Sequence, residues 1–147
     1  MASVGLAAAG CAAVVHVTPA VHANAPACAQ IMLSMPIELA GLPKRGTDGQ
    51  ATAAWGDTNP VLMRCGVDPP PPTTDRCVTV TGSDGKGVDW LSVPATDGSG
   101  DWVLTTYGRR PAVELRVPAS VASTQPTDLL VDLGPAVEFA SVERNCL

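Results

Sequence analysis

Histidine is nearly missing from this chain of 147 residues: there are two, His16 and His22, and none follows position 22. Everything beyond that point therefore lacks the parts for Ser-His-Asp or Cys-His catalysis, the commonest general base and a His-ligated metal. No C-x-x-C occurs, so zinc would need an all-cysteine site drawn from scattered residues. No G-x-S-x-G occurs either; Ser83 and Ser99 fall in Gly-rich turns. Gly82 to Gly87 lacks the Gly-Lys-Ser/Thr ending of a phosphate-binding loop. A basic excess is absent as well. Nine Lys+Arg stand against fourteen Asp+Glu, for a net charge of −5, the wrong balance for a general nucleic-acid binder. No nucleic-acid partner is expected, and no cofactor. Aromatics are scarce: three Trp, one Tyr and one Phe in a chain that is 46% hydrophobic. The core must be built mainly from Val, Leu and Ala.

Charge is also missing from residues 2–23, which read ASVGLAAAGCAAVVHVTPAVHA. Such a stretch reads as a targeting or anchoring segment over residues 1–24, with a single domain over 25–147. Pro19 would break a helix, and Val21-His22-Ala23 resembles a leader-peptidase site, with cleavage after Ala23. Ala8-Ala9-Gly10-Cys11 offers a second reading, a lipobox with Cys11 lipidated. A third is an uncleaved anchor, since roughly 20 residues span a bilayer. The segment opens without Lys or Arg, so the natural start is expected upstream of Met1. Any membrane contact is expected through this segment alone.

Cysteine is what the chain does have: Cys11, Cys28, Cys65, Cys77 and Cys146. Export sets Cys11 apart and leaves four, an even number that reads as two disulfides in an oxidising compartment. Of three possible pairings the simplest joins near neighbours, Cys65–Cys77 around Pro69 to Pro72, and the two ends, Cys28–Cys146.

Between them the chain alternates in short apolar runs. Pro26 and Pro36 frame a helix whose Cys28, Ile31, Met32 and Met35 share a face. Residues 42–49 read as a loop. Strands follow at 52–55, 61–67, 77–80, 88–93, 102–107 and 112–117, the last with Val113, Leu115 and Val117 inward. A second helix starts at 125–128 and carries Leu129, Leu130, Leu133, Val137 and Ala140 on one face, with a kink or split expected at Gly134-Pro135. The expectation is an α+β domain: an antiparallel sheet of about six strands with an N-terminal and a C-terminal helix packed on one side.

Ala54-Trp55-Gly56-Asp57, Val61 to Val67 (VLMRCGV), Val88-Asp89-Trp90-Leu91 and Thr105 to Val113 (TTYGRRPAV) resemble the domain-of-unknown-function family 3515 from about Cys28 to Val137. The resemblance implies a secreted or membrane-anchored protein of an actinomycete cell envelope. It implies no activity.

Candidate binding residues are Arg64, Trp55, Arg109 and Arg110; no catalytic or metal-binding residue is assigned. Arg64 lies mid-strand and is expected to pair with Asp57 or Glu114, or else to hold an anion. Arg109-Arg110 reads as a solvated turn. Trp55, Trp90 and Trp102 offer faces for sugar stacking but read better as the core's large members. The leading function is a non-catalytic accessory or interaction module whose partner is an unidentified envelope component. The alternatives are an enzyme using Asp84, Asp89, Asp97 and Asp101 on cell-wall carbohydrate or peptide, with two carboxylates roughly 5–10 Å apart, and a small-ligand carrier with a pocket near Arg64.

Overall fold

Alternation of apolar and polar side chains lets a strand bury one face and wet the other, and each alternating run in this chain becomes a strand. The computed structural model describes residues 13–123 and 128–147. Its elements are helix α1 (Pro26–Leu33), strands β1 (Glu38–Leu39), β2 (Leu42–Arg45), β3 (Thr52–Trp55), β4 (Val61–Val67), β5 (Cys77–Thr81), β6 (Gly87–Pro94), β7 (Trp102–Thr106), β8 (Arg109–Arg110) and β9 (Ala112–Val117), helices α2 (Ala119–Ala122) and α3 (Asp128–Val137), and strand β10 (Ser141–Val142). The mixed α+β architecture is as expected, but the main sheet has eight strands rather than about six, and a third, short helix is present.

Of the two additional strands, β2 lies in the stretch read as a loop and β1 just ahead of it, in residues given no element. Ala40 and Gly41 both have positive φ (47° and 79°), which closes a two-residue hairpin between Leu39 and Leu42. Ala-Gly is not the Asn-Gly pattern that announces such a turn, so the hairpin left no mark in the sequence. The Asp132 carboxylate of α3 accepts from the Ala40 amide at 3.0 Å and docks the turn.

All neighbours in the main sheet are antiparallel, in the order β1-β2-β3-β4-β9-β7-β6-β5. β9 lies between β4 and β7, so residues 68–76, with their four prolines, must carry the chain from mid-sheet to the far edge. One face is the core face. Val61, Met63 and Cys65 of β4, Val113, Leu115 and Val117 of β9, Leu104 and Trp90 are buried there. Ile31 and Cys28 of α1 and Leu129, Leu130 and Leu133 of α3 close over them.

α3 runs unbroken through Pro135, where a kink or split was expected. Proline lacks the N–H that would bond the carbonyl four residues earlier, that of Val131. The Ser83 amide donates to that carbonyl instead, at 3.3 Å. The turn carrying Ser83 comes this close because Gly82 and Gly134 face each other without side chains; a Cβ on Gly134 would lie 2.9 Å from the Gly82 Cα.

Residues 13–24, assigned by the sequence to a leader or anchor, are packed on the domain in this structure. Val15 bridges Thr47 and bonds the Gly46 carbonyl; the His22 amide donates to the Gly66 carbonyl at 2.8 Å. Val17, Ala20 and Ala23 are buried. His16 meets Asp48 (2.7 Å), His22 meets Asp68 (2.9 Å), and Arg45 donates to the Ala13 carbonyl. The packed chain thus begins ahead of residue 25, and both histidines belong to it. Two glycines make room for this strap: a Cβ on Gly49 would overlap the Val17 carbonyl, and one on Gly66 the His22 carbonyl. Cys11 lies outside the described residues, as do positions 125–127, where the last helix was expected to start.

The disulfides are Cys28–Cys65 and Cys77–Cys146, with Cα separations of 5.7 and 5.8 Å. This overturns the expected Cys65–Cys77 and Cys28–Cys146. Cys65 is on β4 and Cys77 on β5, with β9, β7 and β6 between them. Four interstrand spacings of about 4.8 Å put them roughly 19 Å apart, well beyond disulfide reach.

Candidate functional site

Cross-strand register places Arg64 of β4 opposite Glu114 of β9, on the face away from the core. The guanidinium makes two bonds to Glu114 Oε1, at 3.1 Å from Nε and 2.7 Å from Nη2. This is the structural pairing that the sequence favoured over an anion site. Asp57, the other partner considered, instead stands 3.8 Å from Arg45. Further along the same face, Arg116 binds Asp97, Asp101 and Ser99.

All four carboxylates are held by partners in the fold, three of them in turns and Asp89 in β6. Asp97 accepts from Ser99 and Arg116, which hold its carboxyl far below the usual carboxylate range. Asp84 is also lowered, first by the Lys86 amide. Asp101 binds Arg116 and the Ala119 amide. Asp89 takes the Thr79 hydroxyl at 2.6 Å on one oxygen and the Cys146 amide at 2.7 Å on the other. A general acid needs its pKa raised, and the shifts at Asp84 and Asp97 run the other way.

The remaining candidates are dispersed. Trp55 is fully buried on the core face and donates its indole N–H to the Pro36 carbonyl at 3.0 Å, so its ring offers no platform for a sugar. Arg64 is on the opposite face of the sheet. Arg109 and Arg110 form β8, paired with β10 in a separate two-stranded sheet. Arg109 was expected in solvent but is buried. Its guanidinium reaches the carbonyls of Val137 and Ala140 at the C-terminal end of α3 (3.5 and 3.3 Å) and that of Gly87 (3.5 Å). A cation there satisfies carbonyls that have no partner within the helix and sits at the negative end of its dipole. Arg110 borders a cavity of about 370 Å³ between the strap, the start of α1 and Pro69, but its Nε is bonded to Glu143 at 3.0 Å.

A second cavity had not been foreseen. The core face of the sheet is wider than its helical cover, because α2 is only four residues long. Beyond α2 and α3 an open groove of about 310 Å³ remains. Its floor is Val78, Val80, Leu104 and Val117, and its helical walls are Ala122 and Leu130. Among the accessible residues at the groove are Trp102 and Arg76. Trp102 is 37% exposed, unlike the fully buried Trp55 and Trp90. Arg76 precedes β5 and continues the alternation of Val78 and Val80; its carbonyl still accepts from the Ser92 amide, so the ladder extends to it. Among the described residues, the Arg76 side chain has no hydrogen-bond or ion-pair partner, and the lining includes no carboxylate. The sequence held a signal for Arg76, namely its even spacing to the two valines, but the strand reading began at Cys77 and left Arg76 outside it.

Beside this geometry stands one family match: the model described as "Protein of unknown function (DUF3515)" matches residues 4–144. The chain belongs to the DUF3515 family. The match extends over the strap as well as the disulfide-linked sheet, so the strap falls within what the DUF3515 model describes. No curated protein and no solved structure matches the chain.

Proposed function

We propose that this DUF3515 chain is an exported, non-catalytic binding module of the cell envelope, whose working surface is the groove between the sheet and α2–α3. The observation that carries the reading is the groove itself, an open apolar trough beside a core that is otherwise closed. Apolar concavities with few polar groups are where small ligands bind. The carboxylates that an enzyme would need are tied to backbone amides and arginines. For location, two disulfides are compatible with an oxidising, extracytoplasmic compartment. Among the described residues no helix is long and apolar enough to cross a membrane. The domain is either released or tethered by residues ahead of the strap, and the actinomycete envelope is what the family resemblance implies.

The test uses a neutral apolar dye, Nile red, and the variant Ala122→Trp, which fills the groove from its helical wall. Dye emission should rise on wild-type protein and stay low on the variant. Equal emission from both would remove the groove as the working surface.

A further inference from the structure

We infer that the groove takes a single-chain amphiphile with an anionic head, the aliphatic body lying along Val78, Val80 and Leu104 and the head held by Arg76. This rests on the groove being the working surface and goes further, to the class of ligand.

The walls set the body of the ligand. Sheet and helices present mainly valine, leucine and alanine, with the hydroxyls of Thr79 and Ser92 as the small polar groups beside Arg76 and Trp102, a lining more suited to an aliphatic chain than to a ligand held by many hydrogen bonds. At about 310 Å³ the space is at the small end of ligand pockets, which run from about 300 to 1,000 Å³. That size suits one chain rather than the two of a bilayer lipid.

Charge sets the head. The molecule as a whole is acidic, at −5, so an anion is bound only where a cation stands free. Arg64, Arg110 and Arg116 each already hold a carboxylate, and Arg109 holds carbonyls. Arg76 holds neither and, unlike Lys44 and Arg144, it lines the groove in register with the apolar floor. The other cavity fails on the same count: its Arg110 is matched by Glu143, and its His22 by Asp68. A guanidinium with its donors unused suits a carboxylate or a phosphate equally, since both offer two oxygens to its fork.

Trp102 supplies the readout, because the other two tryptophans are fully buried. Decanoate, decyl phosphate and decanol are titrated into the oxidised protein below their aggregation concentrations, following tryptophan emission and, separately, heat. Both anions should shift the emission, and the shift should vanish in Trp102→Phe while the heat remains. Decanol should bind up to roughly fivefold more weakly, the gain from one accessible ion pair. In Arg76→Gln the anions should fall to the level of decanol, with decanol and Nile red unchanged. A stronger response to decanoate assigns a carboxylate head, and a stronger response to decyl phosphate assigns a phosphate. Decanol binding as tightly as the anions, or an Arg76→Gln variant that keeps their affinity, overturns the proposal while leaving the groove intact. Loss of Nile red binding in wild-type protein fails the underlying reading instead.

Discussion

At the scale of single residues, Arg109 shows how a sequence pattern misleads. Two arginines after a glycine and before a proline look like a wet turn, yet one of them lies inside and the other out. Arg109 is buried because α3 ends beside it with carbonyls that need donors. Removing that donor leaves the buried Ala140 carbonyl without it, while the Val137 carbonyl keeps the Ala140 amide at 3.1 Å and exposed Gly87 can turn to water. Arg109→Met should therefore cost roughly 1–3 kcal/mol, the penalty for leaving a buried polar group without its partner. Urea unfolding of the oxidised protein measures it. A cost below about 0.5 kcal/mol, the scatter of ordinary surface changes, would mean that these long contacts contribute nothing. Arg109→Lys should recover only part, because an ammonium cannot span carbonyls on both sides as a fork does.

At the scale of elements, residues 13–24, read from the sequence as the end of a leader or anchor, pack on the domain as a strap. Its composition is that of a leader: apolar, uncharged, and ending in small residues. The tertiary structure uses the same properties differently, burying Val17, Ala20 and Ala23 and pinning both histidines to aspartates. Gly49 and Gly66 allow the strap backbone to lie against the domain. Gly66 also has a positive φ of 95° at a register shift in β4, so a substitution there would mix two effects. Gly49 has no such conformation and isolates the contact. Gly49→Ala should lift the strap, at a cost of about 1–3 kcal/mol, and hydrogen exchange at the amides of Val15, Val17 and His22 should become much faster. Unchanged protection at those amides would show that the strap does not depend on this approach.

At the scale of the whole molecule, sheet order decides the covalent framework. Pairing Cys65 with Cys77 assumed that strands adjacent in sequence are adjacent in space. β9 inserts between β4 and β7, and this sends β5 to the edge. The bridges then join α1 to mid-sheet and the edge strand to the C-terminal tail. The sequence separations are 37 and 69. On the loop-closure account each contributes about 4 kcal/mol at most. Non-reducing peptide mapping should recover Cys28–Cys65 and Cys77–Cys146, and the double variant Cys28→Ala, Cys65→Ala should lose about 2–4 kcal/mol. A linked Cys65–Cys77 peptide would contradict the strand order itself, since those positions cannot meet in this sheet.

What the sequence by itself determined is what local pattern controls. Six strands were legible because alternation has a period of two whichever strand lies alongside. The apolar face of the last helix and the inward set Val113, Leu115 and Val117 were legible for the same kind of reason. That Arg64 pairs with a carboxylate was legible because a mid-strand arginine needs a partner, but the choice of Glu114 over Asp57 came from the strand register. The tertiary structure alone decided everything that depends on which segments become neighbours. That includes the place of β9, and with it both disulfides, the burial of Arg109 at a helix end, and the donation from Ser83 that lets α3 run through Pro135. It also includes the groove at Arg76, which exists because eight strands make a sheet wider than two helices and a short turn of a third can cover. Contacts between segments far apart in the chain carry no periodicity of their own, so only packing shows them.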